Sequence, residues 1–381
     1  MIRIKSDRII AFDRFFDGYV YIENGVIADV TAEERQADQC FDFTGRYVSP
    51  GFIETHTHGG GGFSFFRTCA EDVARACDFH LKHGATSVCP TLVACSYGDM
   101  LSSMESIRTV IDGGLSGANV LGAHIEGPYL SVSQCGGQPT GYITAPVKRE
   151  YEDVVERYGK YITRWTYAPE RDTEGEFCRF ITKRGILASA GHSDALYSDM
   201  CRAIEDGCNL ITHLYSCTST VTRDHGFRRL GVIESAFLRD ELYVELICDG
   251  KHLPPELIKM IVKIKGSDKV ILTTDSLEVA GSEKTSGRYS DTEYIIEDGV
   301  AKLPDRSAFA GSVATANTLI RTLTADCSLG IPESVKMLTR IPASLLGVNK
   351  GDIAVGKDAD IVVFDDDINV TDVFVMGKKA V

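Results

Sequence analysis

Pro50-Gly51-Phe52-Ile53-Glu54-Thr55-His56-Thr57-His58-Gly59 is the stretch around which the chain is organised. Phe52 and Ile53 read as the apolar end of a short buried strand, and the glycine run from Gly59 to Gly62 is expected to stop it. His56 and His58 stand two residues apart, so on an extended backbone both imidazoles project from one face. Two imidazoles on one face at a strand end make half of a metal site. A pair of histidines in an ordinary loop has the same spacing, so the remaining ligands must be sought elsewhere in the chain.

Downstream, helical stretches at 70–83, 97–112, 148–157, 198–207 and 254–264 alternate with short apolar strands at 86–88, 120–124, 185–188, 209–212, 243–247 and 270–273. Repeated strand–helix units imply parallel strands joined by crossover helices. About 300 residues of them favour a closed barrel over an open sheet. The expected fold is therefore α/β, a TIM-like (β/α)8 barrel over 50–349. Stretches 130–147 and 276–310 read as loops over one rim.

Both ends of the chain have a different texture. Ile2 to Ile4, Arg8 to Phe12 and Gly18 to Glu23 look like strands, and Glu23-Asn24-Gly25 is a hairpin signal leading into a returning strand from Gly25 to Val30. Ala359 to Phe364 and Val370 to Met376 repeat that texture. A domain of 49 residues would struggle to bury enough surface alone. One small β-sandwich domain made from both termini, 1–49 plus 350–381, is the expected arrangement.

The composition is that of a globular protein, 44% apolar and 25% charged. A net charge of −14 argues against a nucleic-acid or anionic-membrane surface, though not against a small anion held by local arginines. The N-terminus lacks a signal-peptide core, and no run approaches the ~18 apolar residues of a membrane span. Twelve cysteines are scattered without a Cys-x-x-Cys pair and read as reduced thiols. Together these features describe a cytosolic chain.

Each strand hands over a polar residue where it stops. Glu126 closes Ala123-His124-Ile125-Glu126, His192 follows Ala188-Ser189-Ala190-Gly191, and His213 follows Ile211-Thr212. Asp249 and His252 follow Cys248, and Asp275 follows Leu272-Thr273-Thr274. The C-terminal strand ends of a (β/α)8 barrel converge on one mouth. His56, His58, Glu126, His192, His213 and Asp275 would then form a nitrogen- and oxygen-rich site suited to zinc, iron or manganese.

With these motifs in hand the chain resembles the amidohydrolase superfamily, and within it the N-acetylglucosamine-6-phosphate deacetylases. The resemblance runs in order through 50–59, His124-Ile-Glu-Gly-Pro, Gly191-His-Ser, Thr212-His-Leu-Tyr, Asp249-Gly-Lys-His, Thr274-Asp-Ser and the late Ala310-Gly311-Ser312. It implies a divalent metal, zinc first with iron, manganese or cobalt as alternatives, in one or two copies. Glu126, His192 and His213 are the implied ligands, with His56 and His58 able to hold a second ion. Asp275 is implied as the catalytic carboxylate, also within reach of the metal, and His252 as a substrate contact. Arg223 falls where the family carries a phosphate-binding arginine that reaches into the partner subunit's site, which implies a homodimer. Ala310 and Gly311 complete the implied substrate contacts.

Two departures fall on substrate contacts. The family's Gly-Ala-His after Glu-Gly-Pro is replaced by Cys135-Gly-Gly-Gln138-Pro-Thr-Gly, where Gln138 is the nearest polar candidate. The family's Asn-Ala after His-Leu-Tyr is Ser216-Cys217 here. Of the other histidines, His80 and His83 read as surface or C-cap residues, His225 as a solvated loop residue in preference to an anion contact beside Arg223, Arg228 and Arg229, and His124 as packed or supporting beside Glu126.

The implied activity is metal-dependent hydrolysis of N-acetylglucosamine-6-phosphate, or a close N-acetyl amino-sugar phosphate, to the free amino sugar and acetate. Another amide class, cyclic or N-acyl amino acid, is the alternative. A non-catalytic metal-binding barrel is disfavoured by the carboxylate at Asp275.

Overall fold

The computed structural model describes residues 1–11, 13–114 and 117–381. Phe12, the end of the expected 8–12 strand, lies outside the described residues.

Eight parallel strands form the barrel: β1 (Phe52–Thr57), β2 (Ala85–Leu92), β3 (Ala123–Glu126), β4 (Ile162–Tyr167), β5 (Leu187–Ala190), β6 (Leu210–Ile211), β7 (Tyr243–Ile247) and β8 (Val270–Thr273). Each pairs with the next in sequence. Just past β8, the Asp275 N–H donates to the His56 carbonyl (3.0 Å) and the His58 N–H donates to Ser276 (2.8 Å), which brings the last strand back to the first. Helices α1 (Ala70–Lys82), α2 (Tyr97–Gly113), α3 (Lys148–Tyr158), α4 (Glu176–Thr182), α5 (Tyr197–Glu205), α6 (Val232–Leu238), α7 (Pro255–Lys265) and α8 (Ala316–Arg321) follow the strands in turn.

Local chemistry sets the boundaries. The Ser96 hydroxyl caps α2 by accepting the Asp99 N–H, and Gly114, at φ 61°, ends it in the left-handed region. Between the caps, Met100, Met104, Ile107 and Val110 make the buried stripe that helical spacing demands.

Strand β4 is absent from the sequence reading. Its Ile-Thr-Arg-Trp-Thr-Tyr pattern carries an arginine at its centre, yet Arg164 is 1% exposed and Trp165 is fully buried. Helices α4 and α6, seven residues each, are also too short to stand out.

Strands from both ends of the chain share one eight-stranded sheet. Ile2–Ala11 pairs with Arg14–Glu23 on one side and with Gln39–Asp42 and Tyr47–Pro50 on the other. Tyr47–Pro50 continues antiparallel to Ile361–Phe364. This sheet has its own core, including Ile4, Ile9, Val20, Val48, Ile361 and Phe374. Asn24 and Gly25 both take positive φ (50° and 80°), as a two-residue hairpin turn of primed type requires.

The rim insertions differ from each other. Residues 130–147 run as a loop with short 3-10 turns at Val132–Gln134 and Thr140–Tyr142. The stretch 276–310, expected as loop, instead contains most of a four-stranded antiparallel sheet: Ser286–Tyr289, Thr292–Glu297, Val300–Lys302 and Phe309–Gly311. Tyr289, Tyr294, Val300 and Ala301 are buried on it, so the polar spacing that reads as loop conceals an inward apolar face. The glycine run after β1 also does more than end a strand, since Gly59–Gly60 pairs with Phe63–Ser64.

Candidate active site

The six strand-end residues meet at one end of the barrel. Glu126 is the last residue of β3, and His192, His213 and Asp275 each lie two residues beyond the ends of β5, β6 and β8. Those three have positive φ (45°, 27° and 49°), a region that side-chain-bearing residues rarely occupy and that costs on the order of 1 kcal/mol or more. The backbone turns sharply there and the side chains face inward.

Glu126 is the hub. Its Oε1 lies 3.0 Å from His213 Nε2, 3.2 Å from His192 Nε2 and 3.5 Å from His56 Nε2. Its Oε2 lies 3.3 Å from His58 Nε2. Asp275 Oδ1 stands 3.3 Å from His56 Nε2 and 3.2 Å from His58 Nε2. Two three-residue groups, His56–His58–Glu126 and Glu126–His192–His213, are compact enough to hold a metal ion, and both are buried.

The outward nitrogens are anchored. His192 Nδ1 donates to the Gln134 carbonyl (2.9 Å), His213 Nδ1 to the Ser216 carbonyl (3.0 Å) and His56 Nδ1 to Glu245 Oε1 (3.0 Å). Each bond turns an Nε2 toward Glu126, as metal-binding imidazoles require. His56 Nε2 is buried with no hydrogen-bond partner.

The field of the cluster favours a cation. Burial opposes charge on His56, but Glu126, Asp275 and Glu245 outweigh it and push the imidazole up to about 10. Burial would raise Glu126, yet His56, His192 and His213 hold it well below the usual carboxylate range. Asp275 is lowered in the same way, with burial outweighed by His56 and His58. A donor set of this kind, with inward nitrogens and buried carboxylates, fits a divalent ion.

Above the cluster lies a cavity of about 240 Å³, lined by His58, Glu126, His192, His213 and Asp275 at its floor. The expected substrate contacts Gln138, Ser216, Cys217, His252, Ala310 and Gly311 also line it. Gln138 Oε1 accepts the Ala94 N–H (2.8 Å), which leaves Nε2 to donate to Glu126 Oε2 (2.7 Å). His252 Nδ1 donates to Asp249 Oδ2 (2.8 Å), and its ring packs on Phe309 with centroids 4.8 Å apart.

Arg223 is elsewhere. It sits on an exposed hairpin, Thr222–Asp224 with Phe227–Arg229, directly across from Arg228. Among the described residues no lysine or arginine lines the cavity. His225 is exposed at the tip of this hairpin, as expected.

Two other histidines are settled by their partners. His80 is fully buried, with Nε2 3.0 Å from both the Thr57 hydroxyl and the Gly59 carbonyl, so the expectation of a surface or cap residue is corrected. It braces the turn after His58, and burial lowers its imidazole to about 4. His124 lies between Thr91 and Thr166 (3.2 and 2.7 Å), packed beside His56 and lowered by burial and by Arg164.

The sequence reading misses Glu245, Arg164, Tyr289 and Tyr294. A glutamate inside Tyr243-Val-Glu-Leu-Ile and an arginine inside Ile162-Thr-Arg-Trp are the available signals, since a charge within an apolar strand implies a buried partner. Among the described residues no disulfide forms, and no helix is long and apolar enough to cross a membrane.

The chain's similarity to known proteins agrees with this geometry. Residues 47–380 match the amidohydrolase family. An N-acetylgalactosamine-6-phosphate deacetylase of Shewanella sp. (strain ANA-3) is 30% identical, with 93% of this chain and 88% of that protein covered. The N-acetylglucosamine-6-phosphate deacetylase of Rattus norvegicus is 30% identical, with coverage of 91% and 86%. In three dimensions, a mutant N-acetyl-D-glucosamine-6-phosphate deacetylase from Mycobacterium smegmatis, solved in complex with N-acetyl-D-glucosamine-6-phosphate, superposes with a TM-score of 0.92 at 28% identity and covers 99% of this chain and 98% of its own. A barrel whose strand ends gather these histidines and carboxylates, matched over nearly its whole length, places the chain in the amidohydrolase family, in its N-acetylglucosamine-6-phosphate deacetylase branch.

Proposed function

We propose that the protein is a metal-dependent hydrolase that converts N-acetylglucosamine-6-phosphate to glucosamine-6-phosphate and acetate. The observation that carries this reading is Asp275 standing beside the His–Glu cluster at the floor of one cavity, in a chain whose relatives are deacetylases of such sugars. Glu126, His192 and His213 would hold one ion, zinc by preference, and His56 and His58 with Glu126 a second. A bound divalent ion supplies Lewis acidity, polarising the amide carbonyl and making a water easier to deprotonate.

The chain's own groups do the rest. Asp275 takes a proton from the attacking water as the new C–O bond forms. It returns that proton to the amide nitrogen as the C–N bond breaks, because an amine leaves poorly unless protonated. His252, held by Asp249, orients the sugar through its free ring edge. Gln138, locked by Ala94, presents its amide N–H at the cavity wall beside Glu126. Ser216, Cys217, Ala310 and Gly311 shape that wall.

A cavity without lysine or arginine leaves the phosphate charge to a group from outside it. Arg223 of the partner subunit in a homodimer would supply it, and the outward hairpin, with Phe227 73% exposed, suits such an exchange. Acidic composition and scattered cysteines fit a cytosolic enzyme.

The Shewanella relative favours a second reading in which the galactosamine epimer is the substrate. A panel of N-acetylglucosamine and N-acetylgalactosamine, each with and without the 6-phosphate, tests both by acetate release. Activity confined to one phosphorylated epimer assigns the substrate. Equal activity on the sugars without phosphate contradicts the phosphate assignment.

A further inference from the structure

We propose that Glu245, clamped by Arg164, is the positioning residue that fixes the His56 imidazole and so sets how tightly the His56–His58–Glu126 side of the cluster holds a metal ion. This rests on the metal-site reading above.

Glu245 lies on β7 at the bottom of the cluster, with Arg164 reaching it from β4; Glu245 is 0% exposed and Arg164 is 1% exposed. The guanidinium grips both carboxylate oxygens, with Nη2 3.1 Å from Oε1 and Nη1 in contact with Oε2. Arg164 Nη2 is also held by Thr212 Oγ1 (2.8 Å) and Ser189 Oγ (3.2 Å), so the fork cannot swing away. Glu245 Oε1, thus fixed, accepts from His56 Nδ1 (3.0 Å) and from the backbone N–H of His213 (3.2 Å).

An ionised carboxylate has only lone pairs to offer. Facing it, His56 Nδ1 must carry a ring hydrogen, so Nε2, which faces Glu126 and Asp275, is the nitrogen left to bind an ion once it sheds its own proton. The same task is done for His192 and His213 by backbone carbonyls, whereas His58 Nδ1 has no partner. One side of the cluster is therefore oriented by the main chain, and the other depends on a single buried carboxylate. A carboxylate behind an imidazole also raises its basicity as a ligand. An ion pair that served stability alone would need no third partner; here the third partner is a ligand ring.

Glu245→Gln separates these roles. Arg164 would take the amide oxygen, turning the amide N–H toward His56 Nδ1 and sending the ring hydrogen to Nε2. The measurement is a zinc titration of metal-stripped protein against a competing chelator, with cobalt(II) spectra reporting the ligand set. Wild type, Glu245→Gln, His56→Ala and the combined variant are compared, each with its metal-free melting temperature. Loss of a residue behind a ligand weakens a metal by ~10–100-fold. That loss is expected in Glu245→Gln for the ion at His56–His58, with a smaller change at Glu126–His192–His213, where Glu245 accepts only the His213 backbone N–H, and little additional loss in the His56→Ala background.

If the unpaired guanidinium prevents folding, Arg164→Met combined with Glu245→Gln removes both charges and should show the same selective loss. Unchanged affinity in the variant, equal weakening at both positions in step with melting temperature, or the same loss without His56 overturns the proposal. Wild-type protein that takes up no ion overturns the metal reading and this inference with it. Wild-type uptake with an indifferent Glu245→Gln overturns this inference alone.

Discussion

Asp275 and His56 meet twice, once through the backbone and once through their side chains. The Asp275 N–H donates to the His56 carbonyl at 3.0 Å, and Asp275 Oδ1 lies 3.3 Å from His56 Nε2. The first contact helps close the barrel between its last and first strands; the second sets Asp275, at the cavity floor, beside the buried His56 imidazole. Closure of the fold and assembly of the site are one event here, so Asp275 owes its place to the backbone as much as to its own side chain.

Replacing its carboxylate should therefore disturb chemistry more than structure. Asp275→Asn keeps the main-chain bond and the side-chain size but cannot accept the proton of the attacking water. We expect kcat to fall ~10²–10⁴-fold with KM nearly unchanged. Steady-state kinetics with metal content measured on the same samples checks this. Near-normal kcat at full metal occupancy would remove Asp275 from the proton transfer and turn attention to Asp249.

Arg223 gives a prediction that depends on a second subunit. It is exposed and absent from the cavity wall of its own chain. Removing one charge-assisted phosphate contact costs about 1.5–3 kcal/mol, or roughly 10–150-fold in binding. Arg223→Ala should raise KM for the 6-phosphate by that factor and leave the unphosphorylated sugar unaffected. Equal effects on both would move the assignment to Arg228 or Arg229.

Glu54 predicts a pH dependence of stability. It is fully buried, accepting from the Thr273 hydroxyl (2.7 Å) and the Thr274 N–H (3.2 Å), and burial lifts its carboxyl from 4.5 to about 7. A carboxyl raised in the folded state favours folding while protonated. Its contribution is complete below about pH 4.5 and is lost as pH rises through about 7. Glu54→Gln does not titrate, so its stability relative to wild type should improve by up to ~3 kcal/mol between those limits. Denaturant unfolding of metal-free protein at both ends of the range measures it. A constant difference between the two proteins would contradict the buried ionisation.

The parts of the fold legible in the sequence are those where one residue type carries one job. Strand β8 runs on into Thr274-Asp275 and β3 ends in His-Ile-Glu, so a polar residue marks the end of each and the site can be read from such marks. Strand β4 is hidden because its interior position holds Arg164, which looks like a surface residue until Glu245 is placed opposite it. The sheet between 286 and 311 is hidden because its buried residues, among them Tyr289, Tyr294, Val300 and Ala301, are interspersed with glycines and charges. His80 reads as a helix-end histidine, and only the three-dimensional approach of Thr57 and Gly59 makes it internal. The left-handed backbone at His192, His213 and Asp275 has no sequence signal, because glycine normally marks that conformation and these positions need side chains.

The most direct measurement is acetate release from N-acetylglucosamine-6-phosphate by chelator-stripped protein before and after a divalent ion is restored. Stripped protein should be inactive, and zinc or another divalent ion should restore turnover in proportion to the ion bound, with none recovered when His192→Ala is treated in the same way. Full turnover by metal-free protein, or no acetate from the metal-loaded wild type, would contradict metal-dependent deacetylation at this site.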